Sequence, residues 1–394
     1  MTGIILFIVA ILVVVMIHES GHFFVAKAFD FKATKYFVGF GPTLWSTEKG
    51  ETEYGVKALP LGGFVKIVGM NPYEEIPPED EPRAYFNKPR WQRALVIVAG
   101  SATHFVVAFV ILMITAMTIG FPIDEPSNEI ASVTTEFDGE PTTAAALGLD
   151  PGDKIVGVGD VKDPTWDEIS AYIRAHAGEE GIFRIAGEGD EVRTETVDIG
   201  TATFSEQGEV LAYAPPGEQI EPPGPGEEVG GFVGISPARA VEKDGFFAAA
   251  GTAGYWTWET TKRSVVGMGD MFGMVFGGEL WDALGGEGER DIEEGPLGIV
   301  GAGRIASESV SSGEPHGLIA LIVGFTIFVG MMNLLPLPPL DGGHLAVIAW
   351  ESVTGKEVDM RKLIPIAAAV ISFFVILFVA VLYLDLARPV KVPF

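Results

Sequence analysis

The sequence contains no cysteine, which excludes a disulfide framework, thiolate catalysis and any thiolate metal site. Metal ligands can then come only from imidazoles and carboxylates, and the six histidines are His18, His22, His104, His176, His316 and His344. Positive charge is also scarce: 26 Lys and Arg stand against 53 Asp and Glu, for a net charge of −27. A chain this acidic repels polyanions, so no nucleic acid is expected among its partners. The deficit is local. Between residues 121 and 315 there are 38 acidic and 11 basic residues, whereas between residues 26 and 93 the counts are 9 and 10. Such acidity fits an exterior of high salt, as around an extreme halophile, or simply a need for solubility.

Charge of either sign is nearly missing from four stretches, residues 3–29, 91–121, 317–335 and 363–386. At about 1.5 Å per residue each can cross most or all of a hydrocarbon core of roughly 30 Å, so a bilayer is an expected partner. The first stretch lacks the basic start and small-residue cleavage site of a signal peptide and reads as a retained span. Short loops rich in Lys and Arg stay in the cytoplasm. This places residues 27–93 there, together with the loop carrying Lys356, Arg361 and Lys362, and it puts the N-terminus and the acidic middle outside.

Polar residues inside such spans are costly and mark function. The first span carries His18-Glu19-Ser20-Gly21-His22. On a helix, histidines at i and i+4 share one face and can reach one zinc, while Glu19 is placed as a general base toward water at the metal. His18 lies about 22 Å into the helix, toward the cytoplasmic side. The third span ends in Asn333-Leu334-Leu335-Pro336-Leu337-Pro338-Pro339-Leu340-Asp341-Gly342-Gly343-His344. Its prolines must break the helix, and broken backbone at membrane depth is tolerated where it lines a cavity. Topology brings Asp341 to the depth of His18 and His22, completing a His, His, Asp set with a fourth position open. His104, in the second span, reads as a hydrogen-bonding neighbour of another helix rather than a ligand. His176 reads as a helix C-terminal group, and His344 as a neighbour of Asp341 rather than a fourth ligand.

The remaining segments are read from periodicity and turn signals. Residues 37–40, 43–45, 53–59 and 63–68 are expected as strands of a small cytoplasmic-side sheet, whose edge could take an extended substrate. Residues 71–82 are a proline-rich acidic loop. The outer domain, residues 124–240, is expected to hold strands at 130–133, 154–158, 181–186 and 192–199, helices at 142–147 and 166–176, an insertion or a loop at 208–231 and a closing strand at 230–235. Residues 244–284 are expected as a helix on the outer membrane surface.

Taken together, His18-Glu19-x-x-His22 and Asn333-x-x-Pro336-x-x-x-Leu340-Asp341-Gly342 resemble the site-2 protease family of intramembrane zinc metalloproteases, and within it the bacterial regulator-of-sigma-E protease. Phe40-Gly41 with Leu59-Pro60-Leu61-Gly62-Gly63 is similar to that family's re-entrant hairpin, residues 144–155 to the start of a PDZ domain, and Gly295-Pro296-Leu297-Gly298-Ile299 to the segment before its third span. The resemblance implies a multi-pass α-helical membrane protein with about four transmembrane helices, a cytoplasmic-side hairpin sheet and one inserted α+β PDZ-like extracytoplasmic domain. It implies Zn2+ on His18, His22 and Asp341, Glu19 as catalytic base, and Asn333 positioning the substrate backbone. The substrate would be a transmembrane protein, already trimmed by an upstream site-1-type protease. Two positions depart from the pattern: one PDZ domain stands where better-known members carry two, and His104 follows Gly100-Ser101 where Gly-Pro and then Asn are common. A reading from another class is a membrane-embedded PDZ peptide-binding protein whose zinc is structural.

Overall fold

The computed structural model describes residues 2–71, 73–187, 189, 191–285, 296–311 and 315–389. Two compact units are present, Met1–Met117 with Asp244–Phe394, and Thr118–Lys243. In chain order, the first unit opens with helix α1 (Thr2–Ala28), strands β1 (Ala33–Lys49) and β2 (Thr52–Ile67), and helix α2 (Arg90–Thr118). The second unit holds β3 (Phe121–Val133), β4 (Glu136–Phe137), β5 (Glu140–Pro141), α3 (Thr143–Leu147), β6 (Lys154–Val158), β7 (Val161–Lys162), α4 (Trp166–Ala175), β8 (Glu180–Ala186), β9 (Val192–Asp198), β10 (Gly200–Phe204), β11 (Val210–Ala214), β12 (Glu228–Phe232) and β13 (Ile235–Glu242). The first unit resumes with α5 (Phe246–Gly277), α6 (Glu279–Leu284), α7 (Ile299–Ser311), α8 (Pro315–Asn333), α9 (Asp341–Thr354) and α10 (Ile364–Ala387).

Among the described residues, four helices are long and apolar enough to cross a membrane: Ile5–Ala28, Arg90–Thr118, Pro315–Asn333 and Met360–Ala387. Their outward side chains, such as Ile8, Val106, Ile114, Val375 and Phe378, stay exposed, which suits a lipid solvent rather than water. Helix α7 starts where the Asp385 carboxylate of α10 accepts the N–H groups of Gly298, Val300 and Gly301, at 3.3, 3.1 and 2.8 Å. A carboxylate there satisfies orphan donors at the positive end of the helix. Of the segment read before the third span, Gly295 lies outside the described residues.

The long hairpin is a folded-over sheet. The first half of β1 pairs on one side with residues 63–67 (Tyr36 opposite Val65) and on the other with residues 53–56 (Tyr36 opposite Tyr54); its second half pairs with residues 52–57. Gly39, Gly41 and Gly62 take positive φ of 85°, 83° and 130°, a conformation only glycine adopts without strain, and they supply the bends. Gly63 lets the 63–67 edge lie on α1, because a Cβ there would run into the Met16 sulfur. Phe40, Leu44, Trp45 and Leu59 are exposed along the apolar end. At the other end, Glu51 accepts from Lys27 and Arg83, with Arg83 Nη1 at 2.6 Å.

The Arg83 guanidinium, followed by Lys27, holds the Glu51 carboxyl down at about 2, against the cost of burying it. A depressed carboxyl adds stability that is fully present above its unfolded value of about 4.3 and is lost as pH falls through the folded value. Melting temperature is therefore expected to fall as pH drops from about 4.3 toward 2, and Glu51→Gln should remove part of that slope. Thermal melts of the two proteins across this window check it; equal slopes would exclude Glu51 as a contributor.

In the second unit, one sheet runs β13-β3-β6-β8-β9 with β7 on β6. It packs through Ile130, Ile155, Phe183 and Ile185 against Leu147 of α3 and Ile169 of α4. Helix α4 begins at a capping box in which Thr165 and Glu168 satisfy each other's backbone N–H. Two expectations are corrected. Of the two readings of 208–231, an insertion or a loop, a loop throughout is ruled out, because β11 and the start of β12 fall there and flank β10 in a separate three-stranded sheet. The closing strand is two strands, broken where Gly234 takes φ 94°. Phe204 and Tyr213 pack on Phe232 there, so the proline-rich composition hid a small aromatic core.

Candidate metal centre

Helix α1 places His18 and His22 one turn apart on a face turned toward α2. Gly21 allows the approach: a Cβ there would stand 2.5 Å from the Ala99 carbonyl oxygen. Gly100 allows the rest, since a side chain at that position would occupy the space of the His22 ring. The Nδ1–H of His22 donates to the Val96 carbonyl at 2.8 Å, which leaves Nε2 as the lone-pair nitrogen.

Asp341 reaches the same point from the other end of the chain. Helix α8 stops at Asn333, and after the proline-rich turn α9 begins at Asp341 itself. Gly342 and Gly343 make this turn possible, because a Cβ on either would strike the backbone of Leu334, Leu335 or Leu337. Asp341 is the first residue of α9, after Leu340 at the N-cap; its Oδ2 accepts from Ser101 Oγ at 3.3 Å.

The three donors converge. His18 Nε2 and His22 Nε2 are 3.1 Å apart, and Asp341 Oδ2 is 3.5 and 3.4 Å from them. Ligands about 2.0–2.1 Å from a tetrahedral zinc stand roughly 3.3–3.4 Å from one another. The residues thus fit the ion, with two borderline nitrogens and one carboxylate as donors. Among the described residues, these side chains form the one group of three or more able to hold a metal. Both imidazoles are buried, at 7% and 8% exposure.

Glu19 sits beside the set, and its Oε2 accepts the backbone N–H of Val65 at 3.0 Å. The folded edge of β2 therefore fixes one carboxylate oxygen and leaves Oε1 for other work. Tyr36 and Ser20 strengthen the attachment, sharing a 2.7 Å hydrogen bond beside the Met16 carbonyl.

Asn333 is the last residue of α8 and is partly buried. His344 lies one turn along α9 from Asp341. His176 lies in the second unit, where its Nδ1–H donates to the Tyr172 carbonyl at 2.8 Å. His316 is at the start of α8, away from the three donors in sequence and outside the group. His104 differs from expectation. Its ring is 4.9 Å from that of His18, and neither of its buried nitrogens hydrogen-bonds to a neighbouring helix.

Sequence reasoning also missed the supporting residues. Ser101 was visible as a polar group in an apolar span, but Val96 and Val65 act through backbone atoms and carry no side-chain signal. Arg93 of α2 donates to Glu351 of α9 at 2.6 Å, with the two side chains 11% and 7% exposed, and this pair ties the helix bearing Asp341 to the helix bearing Ser101. Glu351→Ala should cost about 3–5 kcal/mol, since it strands a buried guanidinium. Denaturant unfolding in detergent measures this; a loss below about 1 kcal/mol would show the pair to be solvated.

Comparison with known proteins follows the same line. The model of peptidase family M50 matches residues 6–379. The chain is similar to zinc metalloprotease Rip1 of Mycobacterium tuberculosis (strain ATCC 25618 / H37Rv), at 33% identity over 99% of this chain and 98% of the relative. Rip1 of Mycolicibacterium smegmatis is 34% identical over the same shares. Zinc metalloprotease RasP of Geobacillus kaustophilus is 27% identical over 91% of this chain and 92% of the relative.

Proposed function

The chain belongs to peptidase family M50 and is a zinc metalloprotease of the site-2 type, and from the convergence of its donors we propose that His18, His22 and Asp341 hold the zinc and that Glu19 is the catalytic base. It hydrolyses peptide bonds within or near transmembrane segments of membrane-anchored proteins. The observation that carries the assignment is the mutual spacing of 3.1, 3.4 and 3.5 Å among the three donor atoms.

Bound zinc supplies Lewis acidity, lowering the pKa of water and polarising a carbonyl. The remaining work falls to the chain. Glu19 takes a proton from the attacking water on Oε1 and returns it to the leaving amine. Val65 N–H keeps the carboxylate from rotating. The Val96 carbonyl fixes the His22 tautomer, and Ser101 orients Asp341, as outer partners of ligands do. Asn333 positions the substrate backbone.

A substrate helix hides its carbonyls in hydrogen bonds and must unwind before cleavage. The edge at residues 63–67 is the element next to Glu19, and strand pairing there would hold an unwound segment. Proline substitutions along this edge, Val65 excepted, should slow cleavage; unchanged cleavage would remove the edge from the mechanism.

The same reading assigns residues 124–240, within the second unit, as an extracytoplasmic PDZ-like domain that filters substrates trimmed by an upstream protease. It places the zinc toward the cytoplasmic side and α5 along the outer membrane surface. Support comes from the charge asymmetry of the loops and from the exposed Phe247, Tyr255, Trp258 and Phe276 of α5, which suit an interface. The test of function is cleavage of a single-span reporter by purified protein, before and after chelation and zinc return. Loss and recovery are expected. A protein that binds zinc yet cuts none of several helix-destabilised reporters would favour peptide binding with a structural zinc.

A further inference from the structure

His104 is the buried polar group next to the metal centre to which no role has fallen. It is 1% exposed, and neither Nδ1 nor Nε2 has a hydrogen-bond partner. A buried donor left unmade costs about 1–3 kcal/mol, and buried polar groups are satisfied in the great majority of cases. The ring is held in place. Gly330 of α8 packs on it so closely that a Cβ at that position would stand 2.8 Å from the His104 Cβ, and its ring centroid is 4.9 Å from that of His18, at a 40° tilt.

Its place separates it from the ligands. The set whose donor atoms gather within 4.8 Å closes at His18, His22 and Asp341, so His104 is not a fourth ligand in this arrangement. Glu19 is engaged on the hairpin side by Val65, whereas His104 is engaged on the α8 side by Gly330. Asn333 follows Gly330 by three residues and shares its face of α8. A substrate carbonyl that reaches His18 and His22 must enter the same buried space, since these ligands are themselves nearly as enclosed.

We infer that His104 is a further catalytic residue: its imidazole N–H receives the scissile carbonyl oxygen as that carbon becomes tetrahedral. The inference rests on the protease reading above. As water adds to the carbonyl carbon, its proton goes to Glu19 and the C=O π electrons move onto oxygen. His104 donates a hydrogen bond to that oxygen and gives up no proton. When the C–N bond breaks, the electrons return to re-form C=O, and Glu19 delivers its proton to the departing nitrogen. Such a donor acts on charge that develops in the transition state, so it raises kcat rather than substrate affinity.

The test compares wild type with His104→Leu, which keeps bulk without a donor, and with His104→Asn and His104→Gln, which return one. Zinc content, kcat and KM on a reporter, and the Kd of a phosphinate peptide whose oxygens imitate the tetrahedral carbon are measured on each. Zinc content and KM should stay near wild type in His104→Leu, while kcat falls about 100-fold and phosphinate binding weakens by a similar factor. At least one amide variant should recover tenfold or more. Wild-type kcat and phosphinate affinity in His104→Leu would overturn the inference, as would loss of zinc or amide variants no better than leucine. The phosphinate arm decides even where a reporter is poorly cut, and a wild type that binds no phosphinate also overturns it. A wild type that cuts no reporter counts against the protease reading, whereas cleavage by wild type and His104→Leu alike counts against His104 alone.

Discussion

Glu19→Gln is expected to lower kcat by about 10³-fold while zinc stays bound and KM changes little, a size typical of losing a positioned general base. The substitution is close to isosteric, and a glutamine oxygen can still accept the Val65 N–H that holds Glu19 at 3.0 Å. The hairpin therefore keeps its attachment to α1, and what is lost is the ability to take a proton. Glu19→Ala is a poorer probe because it also leaves that N–H unpaired beside the site. Single-turnover cleavage of a reporter, with zinc determined on the same samples, separates chemistry from metal loss. Retained turnover in Glu19→Gln would mean that another group takes the proton.

Asp341→Asn should weaken zinc affinity by at least about 100-fold, more than loss of an outer partner, which typically costs 10–100-fold. An amide oxygen keeps the size of the side chain and can still accept from Ser101, yet it carries no charge to balance the ion. Ser101→Ala should fall in the smaller range, because it frees the carboxylate to rotate without removing it. Competition with a chromophoric chelator orders the three proteins. If Asp341→Asn held zinc as tightly as wild type, Asp341 would not be a ligand.

What could be read in advance follows from what each signal depends on. The histidine pair is a local property of helix pitch, so i and i+4 sufficed. Asp341 was legible because prolines and glycines mark a forced break after the third apolar stretch, and Asp341 stands at its end. The sheet beside α1 was legible as strands, but not as the folded-over pairing that brings Val65 to Glu19. That register arises from positive φ at Gly39, Gly41 and Gly62, and a strand period does not show where the backbone doubles back. β11 was hidden by proline and glycine, which dominate residues 208–231, while the packing is carried by Tyr213 and by Phe232 just beyond them.

The second span shows the limit most plainly. Gly100, Ser101 and His104 looked like departures from a familiar pattern, and none announces a role alone. In space Gly100 makes room for the His22 ring, Ser101 reaches Asp341, and His104 lies against His18. Their meaning depends on packing between helices, which no pattern within α2 encodes. That four helices are long and apolar enough to cross a membrane is a matter of length and composition, and was read directly.

The most direct test of the account is the zinc K-edge X-ray absorption spectrum of the purified protein, beside that of Asp341→Asn. The account predicts a first shell of nitrogen and oxygen at about 2.0–2.1 Å, with outer scattering from two imidazoles and a changed first shell in the variant. Outer scattering from a different number of imidazoles, or identical spectra for the two proteins, would contradict a zinc held by His18, His22 and Asp341.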